Sequence, residues 1–287
     1  KMKRMMPAVI MCTGSVGDGA TCLDLSHCNN TFSNHLLFLK PENHENQHEK
    51  LGQEKKHENH QEKLKEEKEE NEKGEEESLS LSKLLSKPVQ WRNMCQETLT
   101  CLNISGCYQV VDNDLESLIH LRMLNFAGCR GITGHCFRKL QQLEWLNMSG
   151  NRRIMDRELM WLKKRLRYLY MSESTQISDF ALSQLTELRT LDCSYCPQIS
   201  GDSFARLKYL QVLNMSHCYH STGENLVVLG QSLRRLNISH NFILEGKLLT
   251  ALTRLKHLNL VQTTITGKQV DALKHTLETL VVEKSRV

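Results

Sequence analysis

Two short stretches carry side chains capable of metal or redox chemistry. Cys193 and Cys196 stand in C-S-Y-C, the spacing of half a zinc site or of a redox dithiol. S-H-C-Y-H then groups His217, Cys218 and His220, with His240 further on. A structural zinc site needs four ligands, and the sequence has no second C-x-x-C. The phrase around the histidines gives another reading. LQVLNMSHC from Leu210 nearly repeats LEWLNMSGN from Leu143 and returns as LRRLNISHN from Leu233. One phrase used three times points to a repeated structural unit, in which these cysteines and histidines hold fixed places. His44, His48, His57 and His60 form a second histidine group, set in polar low-complexity sequence. No glycine-rich phosphate loop, nucleophile motif or pair of acids at matching spacing occurs, so no catalytic residue, cofactor or metal is expected.

The elements that must position these residues follow from the repeat. Its opening leucine, position 1, falls at Leu99, Leu121, Leu143, Leu166, Leu188, Leu210, Leu233, Leu255 and Leu277, a spacing of 22 or 23 residues throughout. Position 4 is leucine from Leu102 to Leu280, position 6 is apolar (or Cys193), and position 9 is cysteine, asparagine, serine or threonine, as at Cys107, Asn151 and Ser174. Apolar positions 4 and 6 between outward 3, 5 and 7 give the two-residue period of a strand with one buried face. Apolar residues such as Ile132, Phe137 and Leu140 fill a return path, expected to be a turn and a short helix. One unit cannot bury its leucines alone, so units must stack into a parallel sheet with a shared core. Strands about 4.8 Å apart make nine units a wall roughly 40 Å long.

The pattern L-x-x-L-x-L-x-x-N/C resembles the leucine-rich repeat family. The 22-residue length is similar to its short intracellular class. The cysteine at position 9, with GIT from Gly131, QISD from Gln176 and QISG from Gln198, is similar to its cysteine-containing class. The resemblance implies an α/β horseshoe solenoid, with the parallel sheet concave and short helices or turns on the convex side.

Residues 41–77 interrupt the array. They hold 14 Glu against 7 Lys and almost no apolar residue beyond Leu51 and Leu64, which predicts a disordered charged insert. Residues 1–19 read as an N-terminal segment or cap, 20–40 as a first degenerate repeat (TCLDLSHCN), 78–98 as the resumption of the array, and 99–287 as nine repeats. The opening KMKRMMPAVIMC imitates a signal peptide, but its apolar stretch is short and contains Pro7. The chain opens on Lys1, as a fragment would. No run of about 18 apolar residues exists, so no membrane span is expected. Eleven cysteines, an odd number and most of them at repeat-fixed places, suit a reducing compartment, so an intracellular protein, cytoplasmic or nuclear, is expected.

The chain carries +4 overall and the insert −7, leaving +11 on the rest of the chain. Arg152, Arg153, Arg157, Lys163, Lys164, Arg165 and Arg167 make a candidate basic patch on the convex side, able to attract acidic groups, including the insert itself. Position 5 forms a polar ladder of Asn103, Asn125, Asn147, Tyr170, Asp192, Asn214, Asn237 and Asn259, and position 7 is mostly serine. Four of five N-x-S/T sequons (Asn103, Asn147, Asn214 and Asn237) are by-products of this ladder; the fifth is Asn29. The departures are more informative. Trp145, Tyr168 and Tyr170 cluster in two consecutive units, followed by Thr190, Asp192, Val212, Arg235 and His257. Trp, Tyr and Arg are enriched in binding hot spots. These residues, with Asn147, Asn214 and Asn237, are the candidate partner-binding surface.

The reading is a non-enzymatic protein-interaction scaffold that binds a protein on its concave face and is monomeric on its own; nucleic acid is not expected. The alternative is the substrate-recognition subunit of a ubiquitin ligase, since cysteine-containing repeats accompany an F-box; only about 19 residues precede the first repeat, so that box would lie outside this chain. A receptor ectodomain is a second alternative.

Overall fold

The computed structural model describes residues 21–24, 99–242 and 245–282. The expected segments at 1–19, 41–77 and 78–98, most of the degenerate repeat at 20–40, and the tail from 283 lie outside the described residues. The chain divides into one unit of residues 1–29 and 80–287 and another of 30–79; every described residue belongs to the first.

Among the described residues ten strands form one parallel sheet in strict sequence order. They are β1 (Thr21–Asp24), β2 (Leu99–Asn103), β3 (Met123–Asn125), β4 (Trp145–Asn147), β5 (Tyr168–Tyr170), β6 (Thr190–Asp192), β7 (Val212–Asn214), β8 (Arg235–Asn237), β9 (His257–Asn259) and β10 (Thr279–Val281). Eight of the ten hold only repeat positions 3 to 5. The leucine at position 4 points into the solenoid and pairs with its counterpart in the next unit, Leu146 with Leu169 and Leu169 with Leu191. Leu23 pairs with Leu102, which puts β1 in register with the repeats. Parallel pairing continues past each strand: the N–H of Met148 donates to the Tyr170 carbonyl at 2.8 Å, and that of Gly150 to the Ser172 carbonyl at 2.7 Å. The turn therefore leaves few backbone groups without partners.

The return path carries only short helical pieces. Asp112–Leu115, Asp156–Leu159, Asp179–Leu182 and Gly267–Val270 are single α-turns, and the remainder are 3-10 segments such as His135–Arg138 and Asp202–Arg206. Once the strand and turn are formed, a 22-residue unit leaves too little chain for a longer helix, and the tighter helix spans the distance with fewer residues. Ile132, Phe137 and Leu140 are fully buried there, and Phe126 and Phe137 pack at 6.1 Å between ring centroids.

Position 9 is buried in the solenoid and hydrogen-bonds to the preceding unit. The thiols of Cys129, Cys196 and Cys218 donate to carbonyls of the preceding unit, at Ile104, Met171 and Cys193. Asn151 makes the same link through two donors, to Cys129 and Ile132. Burial pushes the Cys129 and Cys196 thiols up to about 12, so both stay protonated at neutral pH.

A second set of inter-unit links runs along the convex side. The helices starting at Asp112, Asp156 and Asp179 each open on a carboxylate that accepts from the next unit. Asp112 takes the N–H groups of Thr133, Gly134 and Cys136 and the Thr133 hydroxyl. Burial pushes the Asp112 carboxyl up, but these hydrogen bonds outweigh it and hold it below the usual range.

Candidate functional site

Position 3 and position 5 side chains form the open face of the sheet. Trp145 and Asn147 stand on β4, Tyr168 and Tyr170 on β5, Thr190 and Asp192 on β6, Val212 and Asn214 on β7, Arg235 and Asn237 on β8, and His257 on β9. All are half-buried except Arg235, which is exposed. Trp145 faces Tyr168 directly in the register, while its ring meets Tyr170 diagonally at 5.3 Å between centroids. The separation is within the range of a favourable contact between aromatic rings. Burial, and then the Asp192 carboxylate, push the Tyr170 phenol above its usual range, so it stays a neutral donor at physiological pH.

The polar ladder is built from local turn contacts. Each asparagine mainly serves its own turn. Oδ1 of Asn103, Asn125, Asn147, Asn214, Asn237 and Asn259 accepts the N–H two residues on, at position 7. Asp192 does the same for Ser194, and one bond runs along the ladder, from Asn214 to Asp192. The reason is geometric: the strand ends at position 5, and the chain turns there. A phenol ring at position 5 replaces the amide cap, so Tyr170 gives up a local turn contact for half-buried aromatic surface. At position 7, Ser194, Ser216 and Ser239 are buried and Ser105, Ser149 and Ser172 half-buried; the Ser194 hydroxyl donates to Asp192 at 2.7 Å and lies 2.7 Å from that of Ser172.

Arg235 and His257 lie at the far end, three and four strands from β5. His257 is already engaged: Nδ1 is 2.7 Å from the Thr279 hydroxyl, and Nε2 is 3.7 Å from a Glu278 oxygen. Arg235 is therefore the stronger candidate to hold an anion there.

The basic patch separates into parts. Arg152 pairs with Glu173, Arg167 with Glu144, and Arg153 donates to the Arg130 carbonyl. Arg157, Lys163 and Lys164 border a groove on the face opposite the sheet, and Arg165 is exposed nearby.

Cys193 and Cys196 are fully buried. A hydrogen bond with Cys218, together with burial, holds the Cys193 thiol well above the usual range. Cys218 points inward, whereas His217 and His240 point outward. Among the described residues no group of three or more His, Cys, Asp and Glu side chains is arranged to hold a metal ion.

Position 8 was the signal missed. Its backbone is left-handed in every described unit from Gly106 to Gln262. Gly106, Gly128 and Gly150 fill it first, and Glu173, Tyr195, His217, His240 and Gln262 follow with φ of 57° to 61°. Glycine in three consecutive units at one position was readable as a demand for positive φ. The later residues build a ring stack: His217 lies 4.0 Å from Tyr195 and 4.0 Å from His240, nearly parallel to both, with the Tyr219 hydroxyl 2.8 Å from its Nδ1. Burial, and then the neighbouring His240, lower the His217 pKa. Because the folded state holds His217 below its unfolded value of about 6.5, stability is full above that pH and declines as pH falls through the folded value. His217→Asn, which tolerates the left-handed backbone, is expected to flatten the fall in Tm between pH 7 and pH 5. Equal slopes for both proteins in a thermal scan would refute this.

Among the described residues no helix is long and apolar enough to cross a membrane. The sequence matches no protein-family model and no curated protein. Solved structures do match in shape. Internalin C2 of Listeria monocytogenes is 24% identical with a TM-score of 0.51, over 59% of this chain and 74% of that one. Another internalin of that organism, inlF, is 22% identical with a TM-score of 0.52, over 64% and 61%. A chain of the yeast Rad7–Elc1 complex is 16% identical with a TM-score of 0.50, over 73% and 69%. These neighbours are leucine-rich-repeat proteins, and with the ordered parallel sheet they establish that this chain has the leucine-rich-repeat solenoid fold.

Proposed function

We propose that this chain is a non-enzymatic protein-interaction module whose concave sheet holds a protein partner against Trp145, Tyr168 and Tyr170. The contact between Trp145 and Tyr170 carries the reading: among the described residues it is the one place where aromatic surface replaces the self-capping asparagines. Thr190, Asp192, Val212 and Asn214 continue the surface as its polar and small-apolar flank, and Asn237, Arg235 and His257 close it. Hot spots take this form, a few large rings within a polar surround.

The seven buried free cysteines described favour the short cysteine-containing repeat class and a reducing, intracellular setting. The ubiquitin-ligase adaptor reading rests on the same cysteines and remains the alternative. A receptor ectodomain fits less well. Asn103 is buried, and the other three repeat sequons are half-buried and cap turns, so glycans there would disrupt the sheet face.

The test is affinity purification from cells with quantitative mass spectrometry, comparing the wild type with Trp145→Ala/Tyr170→Ala. Partner recovery is expected to fall at least about tenfold, the effect of losing 1.4 kcal/mol of binding energy. Unchanged recovery by a variant with native circular dichroism would overturn the reading.

A further inference from the structure

On the face opposite the sheet, three consecutive units enclose a groove of about 640 Å³. Met160, Trp161 and Phe180 supply its apolar surface, and Arg138, Arg157, Lys163 and Lys164 supply four positive charges. Phe180 is 63% exposed, an unusual position for a phenylalanine beside lysines. Trp161 is half-buried against the core, with the Arg138 guanidinium 5.2 Å from its ring centroid and His135 at its edge.

The charges are unevenly balanced. Asp156 is the one carboxylate in the lining, and it is held by the N–H and hydroxyl of Ser178. Arg157 contacts the buried Glu158. Among the described residues no ion pair joins Lys163 or Lys164. Lysines keep such a surface soluble, but they do not account for an exposed phenylalanine in its lining.

We infer that this convex groove is a second docking site, and that its occupant is an acidic peptide segment of a partner protein carrying an apolar side chain. The apolar floor takes that side chain, and the cations at the rim take the flanking carboxylates. An apolar centre within a charged rim is the usual build of a protein interface. Single-stranded nucleic acid suits it less. Strand binding stacks successive bases on several rings, whereas Trp161 packs on the core and lies under a guanidinium, which leaves Phe180 as a single platform. The site is separate from the concave surface, since none of its residues lies on a strand.

The test uses the full chain and two fluorescent synthetic peptides, one Glu-rich with a central Leu-Phe pair, the other with that pair replaced by Ser-Ser. Anisotropy at low salt is expected to show binding of the first at least about tenfold tighter than of the second. Raising the salt weakens it, as expected for charges at a solvated rim. Phe180→Ala and Lys163→Glu/Lys164→Glu, all at exposed positions, each reduce binding about tenfold or more, while Trp145→Ala/Tyr170→Ala leaves it unchanged. That last variant separates failure here from failure of the concave-face reading. Equal binding of the two peptides, or retention of binding by the charge-reversed variant, overturns the proposal. So does tighter, groove-dependent binding of an oligo-dT probe.

Discussion

Leu191→Ala is expected to destabilise the solenoid by about 3–4 kcal/mol, near the upper part of the range for buried leucines. Leu191 has no exposed surface and sits at position 4 of β6, between Leu169 and Leu213. Its isobutyl group contributes to the contact of two neighbouring units as well as its own. In a stacked array, stability is close to a sum of unit and nearest-neighbour terms, so a cavity here weakens the coupling between β1–β5 and β7–β10. Urea unfolding is expected to shift to a lower midpoint and to broaden, since a weakened central interface lets the two sides open separately. Leu280→Ala is the internal comparison. It is the same residue at the same repeat position, but 39% exposed on β10, and its loss is expected to cost less than about 1 kcal/mol. Similar losses in the two variants would mean that inter-unit packing at position 4 does not hold the fold together.

That contrast shows what the sequence could and could not reveal. Leu146, Leu169 and Leu191 stack as their spacing required, because a strand with one buried face and a fixed period permits only one register. Trp145, Tyr168 and Tyr170 share a face for the same reason. Consequences of the chain leaving the strand were harder to read. The period of two implied that position 7 continues outward; the strands end at position 5, and along position 7 Ser194, Ser216 and Ser239 are buried while Ser105, Ser149 and Ser172 stay half-buried. The asparagines looked like a ladder because they align along the stack, yet each bonds within its own turn. The convex groove was legible only as a run of charge. Arg138, Trp161 and Phe180 belong to three different units, and their meeting depends on how the return paths pack, which no single-unit pattern encodes.

Asp179→Ala is expected to cost about 2–4 kcal/mol, because it removes one acceptor from five donors. One carboxylate oxygen accepts from the N–H and hydroxyl of Ser200 and from the N–H of Gly201; the other accepts from the N–H and hydroxyl of Ser203. Ser203 is 1% exposed, so its hydroxyl cannot turn to bulk water when the carboxylate is gone. Hydrogen bonds to a charged acceptor contribute more than neutral ones, and the negative charge also lies at the start of a helical turn. Asp179→Asn is expected to cost nearly as much, since its amide presents a donor where the next unit offers donors. A double-mutant cycle with Ser203→Ala separates the link from general damage: removing both partners is expected to recover about 1–2 kcal/mol relative to additivity. Strict additivity would show that Asp179 acts only within its own unit. The phrases QISD and QISG were visible in the sequence as echoes of one another. Their physical meaning is that the aspartate ending the first phrase holds the serine and glycine ending the second, one unit further along the stack.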